Sequence, residues 1–314
     1  MFLRDAWYVA AWADELKEKP LARRICNQPV VLFRDPGGRA VALEDRCCHR
    51  AAPLSRGEVV ASGIQCGYHG LTFDGSGKCV AIPGQSRILS SLTRDLQIRL
   101  LPRMEKMSLS IRQILYEADE PITHAWFPLS GVVSLLIGLK GGEKVEVATV
   151  GNEGVAGIPL LLGADRGPLK AVCQVAGQAL RMRADNFKRS LDEHPDFADI
   201  VRRYAQAMFD QVAQTTACNH VHSVQQRMCR WLLMTHDRVG SSEFHLTQEF
   251  LAQMLGVRRP SVTVAAGQLA RSGLIRYQRG RIQISDRAGL EAGACECYDS
   301  LRRDFDRLLS GPAV

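Results

Sequence analysis

Two short stretches carry the residue types of a metal centre: Cys47-Cys48-His49 and Cys66-Gly67-Tyr68-His69, with sixteen residues between them. Each follows a run that reads as a strand, Val41–Leu43 before the first and Gly63–Gln65 before the second. Paired Cys and His residues on adjacent loops can present two thiolates and two imidazoles to one centre. That donor set, Cys47, His49, Cys66 and His69, suits tetrahedral zinc or a [2Fe–2S] cluster with sulfur ligands on one iron and nitrogen ligands on the other. Ligand type alone leaves the choice open.

A second constellation lies near the carboxy terminus. Thr247 precedes Gln248–Leu255 as an N-cap, with Phe250, Leu251, Met254 and Leu255 on one face. Gly256 supplies the left-handed residue that ends the helix, and Val257 plugs the turn. A second helix over Arg258–Leu269 begins with Pro260 in its first turn, where a missing N–H costs nothing. Val262, Ala266 and Leu269 face the first helix, leaving Arg258, Arg259, Ser261, Thr263 and Gln268 outside. Arginine forks a guanine edge, and Ser or Gln reaches base edges or phosphate. Leu274–Tyr277 and Arg281–Ile284 then form a hairpin around Gln278-Arg279-Gly280, whose Arg279 and Arg281 suit phosphates. Cap, glycine turn, plug, basic helix and basic hairpin occur in the order that a winged helix-turn-helix binding double-stranded DNA requires.

Other reactive residues do not assemble into a motif. Cys218, His220 and His222 fall near the end of a long helical pattern, and only Cys218 and His222 share a face. Cys295-Glu296-Cys297 is placed on a terminal helix; packing is the default reading of both groups. No Walker loop, GxGxxG or ordered Ser/His/Asp set is present, so the sequence offers no catalytic residues.

The elements that position these residues follow from periodicity. Residues 1–84 read as short strands, with turn chemistry at Asp35–Gly38 and Gly75–Gly77. From residue 86 a short helical stretch, Arg87–Leu92, leads into a β-rich region that includes Ala125–Phe127, Val132–Ile137 and Val145–Val147, spaced as in a small roll. Phe197, Val201, Tyr204, Met208 and Val212 then recur at steps of three or four on one helix. This stripe serves either the helix's own domain or a symmetric dimer seam. Ser223–Thr235 forms a further amphipathic helix carrying Met228, Trp231, Leu232 and Leu233.

Composition is that of folded domains, 46% hydrophobic and 23% charged over 314 residues, which argues against wholesale disorder and allows several cores. Net charge is +7, and residues 241–290 hold seven arginines against Glu243, Glu249 and Asp286, so more than half of the excess sits in that window. Charges at Arg4 and Asp5 disfavour a secretory signal, and no run of eighteen apolar residues exists, so a cytoplasmic protein without a membrane segment is expected. Cysteines there serve as ligands or buried thiols rather than disulfides.

Residues 86–314 resemble the Crp/Fnr family of bacterial transcription regulators, through roll, long helix and winged helix-turn-helix. The resemblance implies a homodimer through the helix around Phe197–Val212, with RNA polymerase as a further partner. Arg259 and Ser261 fall where the family's recognition helix meets DNA, while Pro260 replaces the acidic base-reading residue of cyclic-AMP-binding members. The phosphate cassette departs too: Ala156–Gly163 and Leu169-Lys170 lack the ribose-binding carboxylate and the phosphate-binding guanidinium, and Lys170 offers an anion only a point charge. Cyclic-nucleotide control is therefore not expected.

Residues 1–85 resemble the Rieske domain of aromatic-ring and O-demethylating oxygenases, at Asp45–Arg50, Ala52–Ser55 and Ile82–Gln85. The resemblance implies a [2Fe–2S] cluster with Cys47 and Cys66 on the inner iron and His49 and His69 on the outer one, beneath a Pro83-Gly84 loop. Ala52 and Tyr68 stand where respiratory members carry a disulfide, which implies the oxygenase type, at the lower end of a range of about −150 to +300 mV.

The expected class is an α+β multidomain protein. It comprises an incomplete Rieske-like β domain (1–85), a cyclic-nucleotide-binding-type β-roll (86–190), a dimerisation helix (191–222) and a winged helix-turn-helix (223–314). The expected function is a DNA-binding regulator responsive to redox state; the alternative is a Rieske oxygenase component or electron carrier.

Overall fold

Turn chemistry and alternation build the amino-terminal strands. A computed structural model describes residues 6–35, 37–48, 51–60, 63–67, 71–81, 86–239, 241–278 and 280–309, and the chain divides into two compact units, 1–83 and 84–314. In the first, β1 (Leu21–Ile25), β2 (Gln28–Arg34) and β3 (Ala40–Glu44) form an antiparallel sheet in that order. Cys26 and Asn27 join β1 to β2 with φ of 49° and 66°, the twist-matched geometry of a two-residue hairpin turn. The second sheet, β4 (Glu58–Val60), β5 (Gly63–Gln65), β6 (Thr72–Phe73) and β7 (Cys79–Ala81), is also antiparallel and sequential. Val31, Phe33, Leu54, Ile64 and Leu71 are buried in this unit.

The second unit opens with α1 (Arg87–Ser90), whose cap Ser86 accepts from the Leu89 amide, and α2 (Arg94–Leu100). Seven strands follow: β8 (Met104–Leu109), β9 (Ile114–Tyr116), β10 (His124–Pro128), β11 (Val132–Gly138), β12 (Lys144–Val150), β13 (Leu169–Val175) and β14 (Gly177–Arg183). They form two antiparallel sheets, β10-β14-β8 and β12-β11-β13-β9, the expected roll. Then come α3 (Ala184–Glu193), α4 (Pro195–Val221), α5 (Val224–Val239), β15 (Glu243–His245), α6 (Gln248–Leu255) and α7 (Arg259–Arg271). Finally β16 (Ile275–Gln278), β17 (Arg281–Ile284), α8 (Arg287–Gly293) and α9 (Cys297–Leu309) complete the chain's described elements. No described helix is long and apolar enough to cross a membrane.

The 27 residues of α4 span about 40 Å. Its Phe197, Val201 and Tyr204 are fully buried and Met208 nearly so. Phe197 packs on Phe127 and Phe187 at ring distances of 6.3 and 5.8 Å, and Tyr204 lies 6.3 Å from Phe305. Gly154 admits Tyr204 because a β-carbon there would fall 2.2 Å from its hydroxyl. Of the two uses the sequence allows for this stripe, packing within its own unit holds for Phe197, Val201, Tyr204 and Met208, while Val212 is half-buried. A different row of α4 is exposed: Arg202, Gln206, Phe209, Ala213, Thr216 and His220.

Candidate functional site

The helix-turn-helix is built as its residue types require. The Thr247 hydroxyl accepts from the Phe250 amide at 3.2 Å, and Gly256 ends α6 in the left-handed region, φ 60° and ψ 38°. The Val257 amide donates back to Ala252 at 3.0 Å, and Arg258, in extended conformation, caps α7. Val262, Ala265, Ala266 and Leu269 are buried, so α7 is locked by one face. Its other face exposes Arg258, Arg259, Ser261, Thr263 and Gln268 together.

Detail within that face differs among the five. Thr263 donates to the Gln248 side chain at 3.0 Å, so its hydroxyl orients α6 against α7 rather than standing open. Val264 is 59% exposed between these polar residues. An exposed apolar side chain of this kind is the type that can contact a thymine methyl. It was readable from sequence as the valine out of phase with the buried positions. The wing has a third strand, in the order β15-β17-β16, which the sequence did not reveal. Arg281 pairs with Glu243 of β15 at 3.3 Å, an exposed pair that a phosphate can displace at little cost. Arg279 lies outside the described residues. A cleft between wing and α7 is lined by His245, Thr247, Gln248, Arg259, Tyr277 and Gly280. His245 and Gln248 enter the candidate interface only through this fold.

This domain is fixed to the roll. One apolar cluster runs from Val132, Leu136 and Val172 to Leu232, Leu251 and Leu255. Polar contacts pin it further. The Trp231 indole donates to Glu146 at 3.1 Å, and Arg238 meets Glu153 at 2.7 Å with both side chains 7% exposed. Burial pushes the Glu146 carboxyl up to about 7, against weaker lowering by the nearby Ser134 hydroxyl, the Trp231 indole and the Arg238 and Arg230 guanidinium groups. In the roll, Lys170 is held by Glu117 at 2.8 Å, so the charge that could have met an anion is already paired.

In the first unit, Cys47 follows β3 and Cys66 follows β5, both about 1% exposed. Their loops close alike: the Cys47 amide donates to Ala52 and the Cys66 amide to Leu71, each at 2.8 Å and each five residues on. Asp45 braces the first loop by accepting from the Ser55 amide and hydroxyl at 2.7 and 2.6 Å. A β-carbon at residue 67 would lie 2.7 Å from the Arg56 carbonyl, so the second loop needs Gly67. His49, His69, Arg50, Tyr68 and Pro83-Gly84 lie outside the described residues. Two buried thiols at equivalent points of two matching loops fit one half of a cysteine/histidine-ligated cluster.

Residues 6–99 match the Rieske [2Fe-2S] domain family, and residues 226–292 match the Crp-like helix-turn-helix domain. The Rieske match runs past Gln85 into residues that form α1 and α2 of the second unit. The chain is 54% identical over 89 residues to the toluene-4-sulfonate monooxygenase system iron-sulfur subunit TsaM1 of Comamonas testosteroni. That covers 28% of this chain and 26% of the relative. It is 53% identical over 85 residues to the vanillate O-demethylase oxygenase subunit of Pseudomonas sp. (strain HR199 / DSM 7063), covering 27% and 24%. The chain thus spans about a quarter of the length of these relatives. Among solved structures, FixK2 from Bradyrhizobium japonicum aligns with a TM-score of 0.53 at 15% identity, covering 61% of this chain and 98% of FixK2.

The fold is that of a Crp/Fnr-type regulator, with a cyclic-nucleotide-binding-type roll and a helix-turn-helix. The particular chain joins this to an amino-terminal Rieske domain, for which a [2Fe–2S] cluster is the implied cofactor.

Proposed function

We propose that the protein is a homodimeric, DNA-binding transcription regulator of the Crp/Fnr type whose DNA affinity responds to the redox state of its Rieske domain. The observation that carries the reading is the α7 face. Arg258, Arg259, Ser261 and Gln268 project from a helix locked by Val262, Ala266 and Leu269, beside a basic hairpin. Arg259 and Ser261 read base edges, with Arg258, Thr263 and Gln268 flanking, while Arg279 and Arg281 meet phosphates. Dimerisation uses the exposed row of α4 centred on Phe209, whose spacing of four and three residues is that of a helix–helix seam. Two copies then set two recognition helices about one turn of DNA apart, and RNA polymerase is the partner such a complex would recruit. A cytoplasmic location is what this reading implies.

In the first unit, Cys47 and Cys66 hold one iron and His49 and His69 the other. A bound [2Fe–2S] cluster supplies one-electron chemistry. The chain's own residues bury the two thiols and brace their loops through Asp45 and Gly67. The regulator reading outweighs an oxygenase or electron-carrier role because similarity to the oxygenase subunits covers 28% of the chain or less for these relatives, whereas the regulator fold covers 61%. Lys170's pairing with Glu117 and the missing cassette carboxylate weigh against a cyclic nucleotide as effector.

The test compares oxidised, reduced and cluster-free protein on one selected duplex at one salt concentration, by fluorescence anisotropy. Affinities differing about fivefold or more support the coupling. Equal affinities in all three states sink redox control, and absence of sequence-specific binding in every state sinks the regulator reading.

A further inference from the structure

Away from both sites, the fold gathers four donors from distant sequence. Cys218 and His222 stand one turn apart near the end of α4, Cys297 begins α9, and Cys295 lies in the preceding turn rather than on a helix. Their ligand atoms all fall within 4.8 Å of one another. The Cys218 and Cys295 sulfurs are 3.5 Å apart, and the Cys297 sulfur is 3.6 Å from His222 Nδ1. A tetrahedral zinc with bonds of about 2.3 Å to sulfur and about 2.0–2.1 Å to nitrogen has edges of about 3.5–3.8 Å. Two of the six pairs already sit at or close to that spacing, and the rest lie within 4.8 Å.

Three further observations point to a cation there. First, Cys218, Cys295 and Cys297 are 0, 4 and 0% exposed and form a cluster of their own, separate from the apolar cores. Second, His222 Nε2 lies 3.2 Å from the Glu296 carboxylate. That contact holds the ring proton on Nε2 and turns the Nδ1 lone pair toward the thiols, the outer-shell arrangement of metal-bound histidines. Third, Arg227 and Arg230 are each 6% exposed, and among the described residues neither ion-pairs with a carboxylate. Both Nε atoms lack a hydrogen-bond partner; Arg227 Nη1 donates to the Asn219 side chain at 2.9 Å and the Leu255 carbonyl at 3.0 Å, and Arg230 reaches the Thr215 hydroxyl at 3.4 Å. Buried guanidinium groups favour anions nearby; the buried Glu146 carboxyl supplies one near Arg230, and among the described residues Arg227 has no carboxylate partner. Three thiolates around one Zn²⁺ leave a net charge of −1 to face them.

We propose that Cys218, His222, Cys295 and Cys297 form a closed structural zinc site that staples the carboxy-terminal end of α4 to the α8–α9 junction. Zn²⁺ enters as the three thiols release their protons to solvent, and His222 contributes a neutral imidazole. Four protein ligands leave no open position, so the site holds structure rather than activating water. Its place matters because α4 leads directly into α5 and the helix-turn-helix, so the staple fixes how the DNA-binding domain is carried on the long helix. This proposal stands independently of whether the protein binds DNA.

The experiment uses the full chain. After dialysis against EDTA, metal analysis should find one zinc per chain besides the iron. Cys295→Ser/Cys297→Ser should lose that zinc with iron content and the cluster's electron-paramagnetic signal unchanged. Glu296 is exposed, so Glu296→Gln should fold normally, yet weaken Co²⁺ binding 10- to 100-fold. The cobalt form should show thiolate charge-transfer absorption and tetrahedral ligand-field bands. Zinc retained by the double cysteine variant, cobalt affinity unchanged in Glu296→Gln, no thiolate charge transfer, or iron with labile sulfide at these residues would each overturn the proposal.

Discussion

Removing Arg238 tests how the DNA-binding domain is anchored. Arg238 of α5 donates to Glu153 Oε1 at 2.7 Å and Oε2 at 3.2 Å, and it also reaches the Thr149 hydroxyl. Both side chains of the pair are 7% exposed. In Arg238→Met the stem is replaced but the charge is not, leaving Glu153 with only its bond from the Gly151 amide, at 3.0 Å. Truncating one partner of a buried pair costs about 3–5 kcal/mol, mostly because the survivor stays desolvated. Replacing both, in Arg238→Met/Glu153→Gln, should restore most of that, since the desolvation cost of the pair disappears with it. Native-state hydrogen exchange of α5 and β12 amides reads the local opening free energy in a protein of more than one cooperative unit. The expected result is a loss of about 3–5 kcal/mol in the single variant and recovery to within about 1 kcal/mol in the double. A single variant within about 1 kcal/mol of the parent, or a double variant as unstable as the single, would show that the pair does not anchor the domain.

Other variants separate the remaining contributions. The Glu146 carboxyl, raised by burial from 4.5 to about 7, binds its proton more tightly in the folded state. Its contribution is fully present below about pH 4.5 and lost as pH rises to about 7, a cost of about 3 kcal/mol. Glu146→Gln should therefore leave stability little changed at pH 4.5 and raise it by up to that amount at pH 8, in urea titrations at the two values. Phe209→Glu should place like charges at the centre of the α4 seam and shift sedimentation from dimer to monomer, with far-ultraviolet circular dichroism unchanged. Cys47→Ser should abolish the visible absorption and iron content of the first unit; retention of both would exclude Cys47 as a ligand.

Much of the winged helix-turn-helix was legible because local chemistry dictates it. Thr247, Gly256 and Pro260 each do in the structure what their backbone or side chain can do best at a helix end. The loops of Cys47 and Cys66 were legible for the same reason, as turns following strands. What escaped depends on contacts far apart in sequence. Cys218 and Cys295 meet across 77 positions, and no periodicity marks a partner at that range. The α4 stripe was visible as apolar, but periodicity cannot say whether the roll or a second copy covers it. The Cys26-Asn27 turn carries no glycine, so Asn27 alone marked its left-handed backbone. The strand β15 is three residues long and pairs only with the distant β17, too short to show alternation.

The most direct measurement is a binding-site selection from random duplexes at fixed salt, run with the full chain and with Arg259→Ala. The account predicts enrichment of a pseudo-palindrome with half-sites about one helical turn apart. It predicts a loss of about 1–3 kcal/mol for Arg259→Ala, with relaxed preference at one position in each half-site. No enrichment by the full chain, or an identical enriched site with identical affinity for Arg259→Ala, would contradict it.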